Sequence, residues 1–510
     1  MRAKFWILIL VVTVPFGCGE FLDELPDNRV EITDLEKAAQ LLTSGYSEAS
    51  HGFLEWMTDN VDFTFGVNIR DNHAQAFFWQ ESFTAADEQD SPDYFWYQTY
   101  RAISHANEVL AVIDELPLNG EQGQARKSAI MGEAYLIRAY SHFMLANVFA
   151  PPYNAGDAHR KLGLPYVTTP ETEFFGQYER ISLSQFYRLV EQDLERGLAL
   201  VSDRFYANSG KYHFTKSAGY ALASRYYLFK GEYQTCIAYS DSLLGTTSTS
   251  ASGFVRDMIS DQFQDASSSI DAYAQLYNSP DLAANILMIR KESFINYPNF
   301  GHGMTNEIYG QVMQSNVFER TDARANPALV KGNNAVLPVR HEFLFRRSSL
   351  NSDVGFAYHI SPVLTGEEVL LNRAESKVYT GNVAGALQDL QVLAEKRYGR
   401  NVVVTIEHAR RLVGGNPNDI DSDLDRLALS LLILEEKRRE FVLTGMRWFD
   451  LRRGPQISFG SFGFNPELFN VEHFDPEIDQ SRILRWNDPR RTLQLPRSAI
   501  EVGGLEPNER

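Results

Sequence analysis

The feature that most constrains the fold is an apolar stripe that begins at Leu424. Leu427, Leu431, Leu434 and Phe441 continue it at steps of three, four or seven residues. This is the spacing of side chains that share one face of an α-helix. The sequence therefore predicts a long helix, ending near Gly445, whose apolar face packs against other elements.

A charged residue interrupts this apolar face. At about 100° per residue, Arg438 projects into the middle of the stripe, and Glu435 lies beside it one turn earlier. A buried ion without a partner costs several kcal/mol, so a cation at this position needs a counter-charge. We therefore predict a structural ion pair between Glu435 and Arg438, and we regard a catalytic carboxylate as the less favoured alternative.

Helical hairpins recur along the chain. In Lys216–Leu244 and in Glu367–Arg397, small and apolar residues occupy the offsets that tetratricopeptide repeats use around their turn. Ser128–Phe149 is apolar on almost every side, as in a helix that is surrounded by neighbours. Because such units cannot bury their apolar faces alone, they must stack on one another. With Leu424–Gly445 as another unit, we predict an all-α fold of about four tetratricopeptide-like hairpins.

Two long irregular insertions separate these units, at about residues 50–95 and 250–360. Strand signals are weak, and Val402–Ile406 is the best candidate strand. We predict a single domain over residues 33–510, with little strand.

The amino-terminal residues have the pattern of an export signal. Two basic residues precede ten apolar ones, Phe5–Val14, and Gly17 then comes before Cys18. This order is typical of a lipoprotein signal peptide, and ten residues are too few to span a bilayer, which takes about 20. We predict a signal peptide over residues 1–17 and lipidation of Cys18. A plain secretory signal followed by a chance cysteine is the alternative.

Acidic residues dominate both the segment after Cys18 and the chain as a whole. Residues 18–32 are acidic and punctuated by proline, which predicts a tether between the lipid and the folded domain. The formal net charge is −18, so we expect no nucleic-acid partner. Cys236 is the one other cysteine, so the fold is not built on disulfides.

Four segments, in this order, closely resemble the SusD/RagB-like family: Trp96–Asn107, Glu133–Tyr140, Gly163–Val167 and Leu434–Arg453. The family consists of surface lipoproteins of Gram-negative bacteria that capture nutrients for a TonB-dependent transporter. The resemblance implies a SusC-like transporter as partner and an oligosaccharide as the expected ligand. It also implies a place on the extracellular face of the outer membrane, with the lipid as the only membrane attachment.

The motifs of common enzyme and metal sites are missing from the sequence. It has no Gly-rich phosphate loop, no HExxH motif and no Cys/His cluster at zinc spacing. Alternating aspartates from Asp419 to Asp425 lack the glycine and the final acid of a calcium loop. We therefore expect no metal, no cofactor and no enzymatic step. A glycan-degrading enzyme and a peptide-binding or scaffold repeat protein remain the alternatives, because composition excludes neither.

Both insertions combine aromatic rings with planar polar side chains, the mixture that commonly holds sugars. The predicted ligand-binding residues are Arg70, Asp71, Asn72 and Trp79 in the first insertion and Tyr297, Phe300 and Tyr309 in the second. In the family, ligand residues come largely from the same neighbourhoods, although no residue carries over one to one. The alternative for each aromatic residue is that its ring only packs a loop.

Overall fold

The computed structural model describes residues 32–66, 69–171, 176–207, 209–297, 301–352, 354–413, 422–459 and 462–510. Cys18, the predicted signal peptide, nearly all of the predicted tether and Phe300 lie outside these ranges.

The fold is mainly helical, which confirms the predicted class. The helices are α1 (Leu35–Thr43), α2 (Asp71–Phe77), α3 (Pro92–Val112), α4 (Gly120–Phe149), α5 (Leu183–Leu200), α6 (Lys216–Lys230), α7 (Tyr233–Leu244), α8 (Ser248–Ser252), α9 (Asp261–Ala266), α10 (Ile270–Tyr277), α11 (Asn306–Tyr309), α12 (Gly366–Tyr379), α13 (Val383–Glu395), α14 (Ile406–Arg410), α15 (Ser422–Glu440), α16 (Met446–Arg453) and α17 (Arg497–Glu501). Among the described residues, we find no helix with the length and hydrophobicity needed to cross a bilayer.

The strands are short. They are β1 (Asp62–Phe63), β2 (Asn285–Glu292), β3 (His302–Gly303), β4 (Ala328–Lys331), β5 (Ala335–Pro338), β6 (Leu344–Arg347), β7 (Gly355–Thr365), β8 (Ser458–Phe459), β9 (Phe462–Gly463), β10 (Val471–Asp475) and β11 (Gln480–Leu484).

The predicted hairpins are present and stack through α12. Helices α6 and α7 form one hairpin, α12 and α13 form another, and α12 packs against α6, α7 and α15. Helix α4 packs between α3 and α5, and its second half is buried on all sides, as its composition predicted. Local capping supports the helix starts. The Thr365 hydroxyl, for example, accepts a hydrogen bond from the Glu368 N–H (3.2 Å) at the start of α12.

The second insertion contains a small antiparallel sheet that the sequence pattern did not indicate. Strand β7 lies in the middle of the order β2–β7–β6, with Lys291 opposite His359 and Leu344 opposite Tyr358. Strands β4 and β5 form a separate hairpin. Strand β2 escaped notice because it is buried on both faces along most of its length, so its residues do not alternate between buried and exposed positions.

The best strand pattern in the sequence, Val402–Ile406, is not a strand, and Ile406 begins α14. The Gln391 side chain makes the hydrogen bonds that a neighbouring strand would otherwise make. Gln391 Nε2 donates to the Val402 carbonyl, and the Val404 N–H donates to Gln391 Oε1, both at 2.8 Å. Alternating burial therefore arose here without a β-ladder.

Helix α15 is buried around most of its circumference, including its charged residues. The predicted ion pair between Glu435 and Arg438 is wrong: Arg438 Nη2 lies 3.3 Å from Asp59 Oδ2, and Arg438 Nε donates to Asn60 Oδ1 at 2.8 Å. The nearest cation to Glu435 is Arg439, at 3.9 Å. Helical spacing could not reveal this pairing, because the partner of Arg438 comes from a distant loop.

A buried network of charges surrounds the end of α15. Arg324 Nη2 lies 2.7 Å from both Asp322 Oδ2 and Glu436 Oε2, and Arg397 Nη2 lies 2.8 Å from Glu440 Oε1. Burial alone would raise the pKa of Glu440, but the Arg397 and Arg324 guanidinium groups lower it to about 2. The network joins α15 to Arg324 in the second insertion.

The turn after α15 is held by a buried carboxylate. Glu55 Oε1 accepts from the Leu443 N–H (2.9 Å) and Glu55 Oε2 accepts from the Gly445 N–H (3.0 Å). Gly445 has φ +79°, and a Cβ there would lie 2.4 Å from the His51 carbonyl oxygen. Both the left-handed backbone and the close approach require glycine.

Replacing Gly445 should therefore destabilise the fold more than replacing an unhindered left-handed glycine. Gly381 is the matched control, because its φ is +82° and no heavy atom of the described chain lies within 4 Å of the position of an added Cβ. Gly381→Ala should cost about 1–2 kcal/mol of unfolding free energy, and Gly445→Ala about 3 kcal/mol. Urea denaturation measures both, and equal losses would contradict the contact with His51.

Candidate functional site

The two insertions from which ligand residues were predicted lie side by side. Strands β1 and β3 pair antiparallel, with Phe63 opposite His302. The Thr64 N–H donates to the Gly301 carbonyl at 2.9 Å, and Trp56 Nε1 donates to the His302 carbonyl at 3.3 Å. The pairing brings the start of the first insertion against the loop that follows β2.

An aromatic row, formed by Phe294, Phe343 and Tyr297, lies at this junction. The centroid of the Phe343 ring is 6.3 Å from that of Phe294 and 5.2 Å from that of Tyr297. At the Phe294 end, the Arg70 guanidinium lies 4.0 Å from the ring centroid, within cation–π distance. Phe343 is 41% exposed, so the row presents apolar ring surface to a ligand.

A cavity of about 340 Å³ adjoins the row at Tyr297 and Phe343. Its walls come from α10, from the β4–β5 hairpin and from residues 339–343. This volume is within the range of small-molecule sites, roughly 300–1,000 Å³. We call it the row cavity.

The polar lining of the row cavity suits a neutral ligand with many hydroxyl groups. The carboxylates of Asp271 and Glu342 balance the charges of Lys331 and Arg340. Asn296 is 6% exposed, and its Nδ2 has no hydrogen-bond partner within the described residues. A buried amide donor without a protein partner is uncommon in folded proteins, where such groups are usually hydrogen-bonded.

Sequence and structure comparisons show what the chain is similar to. A family model for SusD-like proteins, described as starch-binding and associating with the outer membrane, matches residues 20–228. The fold resembles a SusD superfamily protein from Bacteroides vulgatus, with a TM-score of 0.61 and 20% identity over 93% of this chain and 98% of that one. The fold of this chain is therefore SusD-like, and residues 20–228 match the SusD-like family model.

Two further solved structures share this fold. A SusD-like carbohydrate-binding protein from Bacteroides vulgatus has a TM-score of 0.58 and 17% identity, covering 93% of this chain and 97% of its own. A laminarin-binding SusD-like protein has a TM-score of 0.63 and 16% identity, covering 94% and 99%. No curated protein sequence matches the chain.

The structure brings some of the predicted ligand residues together and not others. Arg70 and Tyr297 both belong to the junction, and Asp71 is exposed beside Arg70 in the first turn of α2. Glu88 holds Arg70 in place through an ion pair at 3.1 Å. Phe300 lies outside the described residues.

Three predicted ligand residues are buried and bonded within the protein, so the prediction is corrected for them. Asn72 Nδ2 donates to the Ala85 carbonyl at 3.1 Å. Trp79 Nε1 donates to the Met57 carbonyl at 3.1 Å, and the Trp79 ring stacks on His473. The Tyr309 hydroxyl donates to the Ala325 carbonyl at 2.6 Å. For Trp79 and Tyr309 the alternative of loop packing was the right one.

Three residues of the site were missed: Phe294, Asn296 and Phe343. Phe294 and Asn296 lie in the loop that follows β2, and Phe343 lies between the β4–β5 hairpin and β6. None of them belongs to a periodic pattern. The available signal was the concentration of aromatic and amide residues within the second insertion.

The C-terminal family signature positions the loop that leads into the site. Arg447 donates to both carboxylate oxygens of Asp59, at 2.9 and 2.8 Å, and Arg438 approaches the same carboxylate. Burial would raise the pKa of Asp59, but the two guanidinium groups hold it far below its usual range. Asp59 lies just before β1, so these ion pairs fix the first insertion against α15 and α16.

Within the described ranges, no three His, Cys, Asp or Glu side chains are grouped as they would be around a metal ion. Two of the alternating aspartates are described, and both pair with arginine. Asp425 lies 2.6 Å from Arg410 Nε, and Asp423 lies 3.1 Å from Arg426 Nη1.

The histidine beneath the site should make the fold sensitive to acid. Burial, with His73 and His473 close by, lowers the pKa of His302 to about 3. The unfolded chain binds this proton below about pH 6.5, whereas the folded chain does not. The free energy of unfolding therefore falls as the pH drops from about 6.5 towards 3, by at most about 1.4 kcal/mol per pH unit for one proton.

His302→Phe should remove this contribution, because phenylalanine keeps the contact with Phe77 and His302 Nδ1 has no hydrogen-bond partner in the described chain. Denaturation curves between pH 7 and about pH 4 should show a weaker pH dependence than the unmodified protein. His159→Phe is the control, since His159 is exposed. An unchanged pH dependence in His302→Phe would contradict the assignment.

Proposed function

We propose that this SusD-like protein binds an oligosaccharide at the aromatic row and the row cavity and delivers it to a TonB-dependent, SusC-like transporter. It would act as the lid of that transporter on the extracellular face of the outer membrane. The observation that carries the proposal is the aromatic row with Arg70 at one end and the row cavity at the other.

The chemistry of the site matches that of a sugar. The C–H faces of a sugar ring pack against exposed aromatic rings, and its hydroxyl groups need planar donors and acceptors. Phe343 and Tyr297 supply the rings, while Arg70, Asn296 and Glu342 supply donors and acceptors around them. The balanced charge of the cavity favours a neutral glycan at this position.

Binding would occur without a chemical step. Proteins of the same fold are described as carbohydrate-binding and as laminarin-binding, which supports capture rather than hydrolysis. Release of reducing ends from laminarin by the pure protein would overturn this part of the proposal and favour a glycan-degrading enzyme.

The lipid anchor is proposed from two observations. The sequence places a cysteine after a short apolar run, and the matching family is described as associating with the outer membrane. Acyl chains on Cys18 would hold the folded domain at the membrane surface, with the acidic residues after it as a tether.

Phe343→Ala and Tyr297→Ala should each weaken glycan binding by about 1–3 kcal/mol, because each removes an aromatic surface on which a sugar can pack. Isothermal titration with laminari- and malto-oligosaccharides measures the change. Tyr212→Ala is the matched control, since Tyr212 is 41% exposed but lines neither the row nor its cavity. Equal affinity in all three variants would show that the ligand binds elsewhere.

Cys18→Ala should abolish acylation and release the protein from the membrane fraction. Metabolic labelling with palmitate, followed by fractionation, measures both effects. Cys236→Ala is the control: Cys236 is buried in the fold and its replacement should leave labelling intact. Membrane retention of Cys18→Ala would contradict the anchor, and glycan uptake that survives deletion of the protein would contradict the lid.

A further inference from the structure

A second and larger cleft, of about 560 Å³, lies near the carboxyl end of the chain. Its walls come from the segment after α4, from the loop around Trp486 and from residues 506–509. We call it the C-terminal cleft. None of its lining residues also lines the row cavity, so it is a separate candidate site.

An exposed tryptophan stands in the wall of this cleft. Trp486 is 39% exposed, whereas Trp56, Trp79, Trp96 and Trp448 are at most 6% exposed. The Trp486 backbone N–H donates to Asn470 Oδ1 at 2.8 Å, and its indole N–H has no hydrogen-bond partner among the described residues. The ring therefore offers both a stacking face and a free donor.

Two buried cations in the wall have no carboxylate partner in the described chain. Arg452 donates to the carbonyl of Ala150 at 2.5 Å and to the Thr492 hydroxyl at 3.3 Å. Arg491 donates to the carbonyls of Arg485 and Leu451, at 2.8 and 3.1 Å. Burial lowers the pKa of each to about 10, so both remain cations at neutral pH.

The other charges of the cleft leave it positive. Lys161 is neutralised by Asp157 at 2.8 Å, and Asp488 by Arg490 at 2.8 Å. The charges that remain are those of Arg160, Arg180, Arg452 and Arg491 against Glu506 and Glu509. The excess of cations is notable in a chain whose net charge is −18, and it would attract an anionic ligand.

The cleft is preformed. Arg180 donates to the Glu506 carbonyl at 2.7 Å and to Asn508 Oδ1 at 2.8 Å. Asn508 Nδ2 in turn donates to the carbonyl of Phe149, at the end of α4, at 2.9 Å. Prolines at 151, 152, 455, 489 and 507 stiffen the lining. A rigid wall lowers the entropy lost when a ligand binds.

We propose that the C-terminal cleft binds a hexuronic acid residue of an acidic oligosaccharide, with the sugar ring on Trp486 and its carboxylate against Arg160. A bare inorganic anion would make no use of the ring, and a neutral sugar would make no use of the excess cations. Arg160 is the cation for the carboxylate because it is exposed and has no carboxylate partner in the described residues. This inference rests on the proposed function in one respect only, namely that the ligand is a glycan.

Tryptophan fluorescence reports on this cleft, because Trp486 is the exposed tryptophan of the described chain and the aromatic row contains none. Titration with an oligogalacturonate should change the emission, and a malto-oligosaccharide of the same length should not. Added sodium chloride should weaken the effect, as expected for an ion pair near the surface.

Calorimetry on variants then tests the two named contacts. Trp486→Ala and Arg160→Gln should each weaken oligogalacturonate binding by about tenfold or more, while Trp486→Phe should retain most of the affinity. Lys161→Gln is the matched control, because Asp157 already pairs with Lys161. Circular dichroism confirms that each variant is folded.

The outcomes separate this inference from the proposed function. Absence of oligogalacturonate binding, or full affinity in Trp486→Ala, would overturn the inference. Equal competition by sodium sulfate in Trp486→Ala and in the unmodified protein would also overturn it. Retained oligogalacturonate binding in Phe343→Ala would support it. Failure of neutral glycans to bind at the aromatic row would count against the proposed function alone.

Discussion

The buried charges of α15 hold the two insertions in place. Arg438 on this helix reaches Asp59 in the first insertion, and Glu436 and Glu440 reach Arg324 in the second. Removal of one member of a buried pair leaves an uncompensated charge, at a cost of about 3–5 kcal/mol. Because both insertions are bound to one rigid helix, they meet at β1 and β3, and the aromatic row forms where they meet.

The parts of this fold that could be predicted are those that local sequence determines. Hairpins such as α6–α7 and α12–α13 follow from residue spacing, because their two helices pack on each other. Contacts between residues that are far apart in the chain leave no such pattern in the sequence. Neither the contact of Arg438 with Asp59 nor the pairing of β2 with β7 follows from residue spacing. Val402 and Val404 had the alternation of a strand, yet a glutamine side chain took the place of a neighbouring strand.

The candidate site was predictable as a neighbourhood but not as a set of residues. Arg70 and Tyr297 lie at the junction, whereas Trp79 and Tyr309 lie beneath the surface with their polar atoms bonded to carbonyls. Composition cannot distinguish these cases, because the same ring can fill a core or face solvent. Trp486, which no sequence pattern singled out, is more accessible to solvent than Trp79.

The candidate site, meaning the aromatic row and Arg70, draws its residues from segments that are far apart in the chain. Arg70 belongs to one insertion, and Phe294, Tyr297 and Phe343 belong to the other. The two insertions are joined by the pairing of β1 with β3 and by hydrogen bonds from Ser293 and Phe294 to Asp90. A molecule that touches Arg70 and Tyr297 at once would therefore add a further link between them. A bound ligand would then restrain both insertions together, because it would contact residues of each.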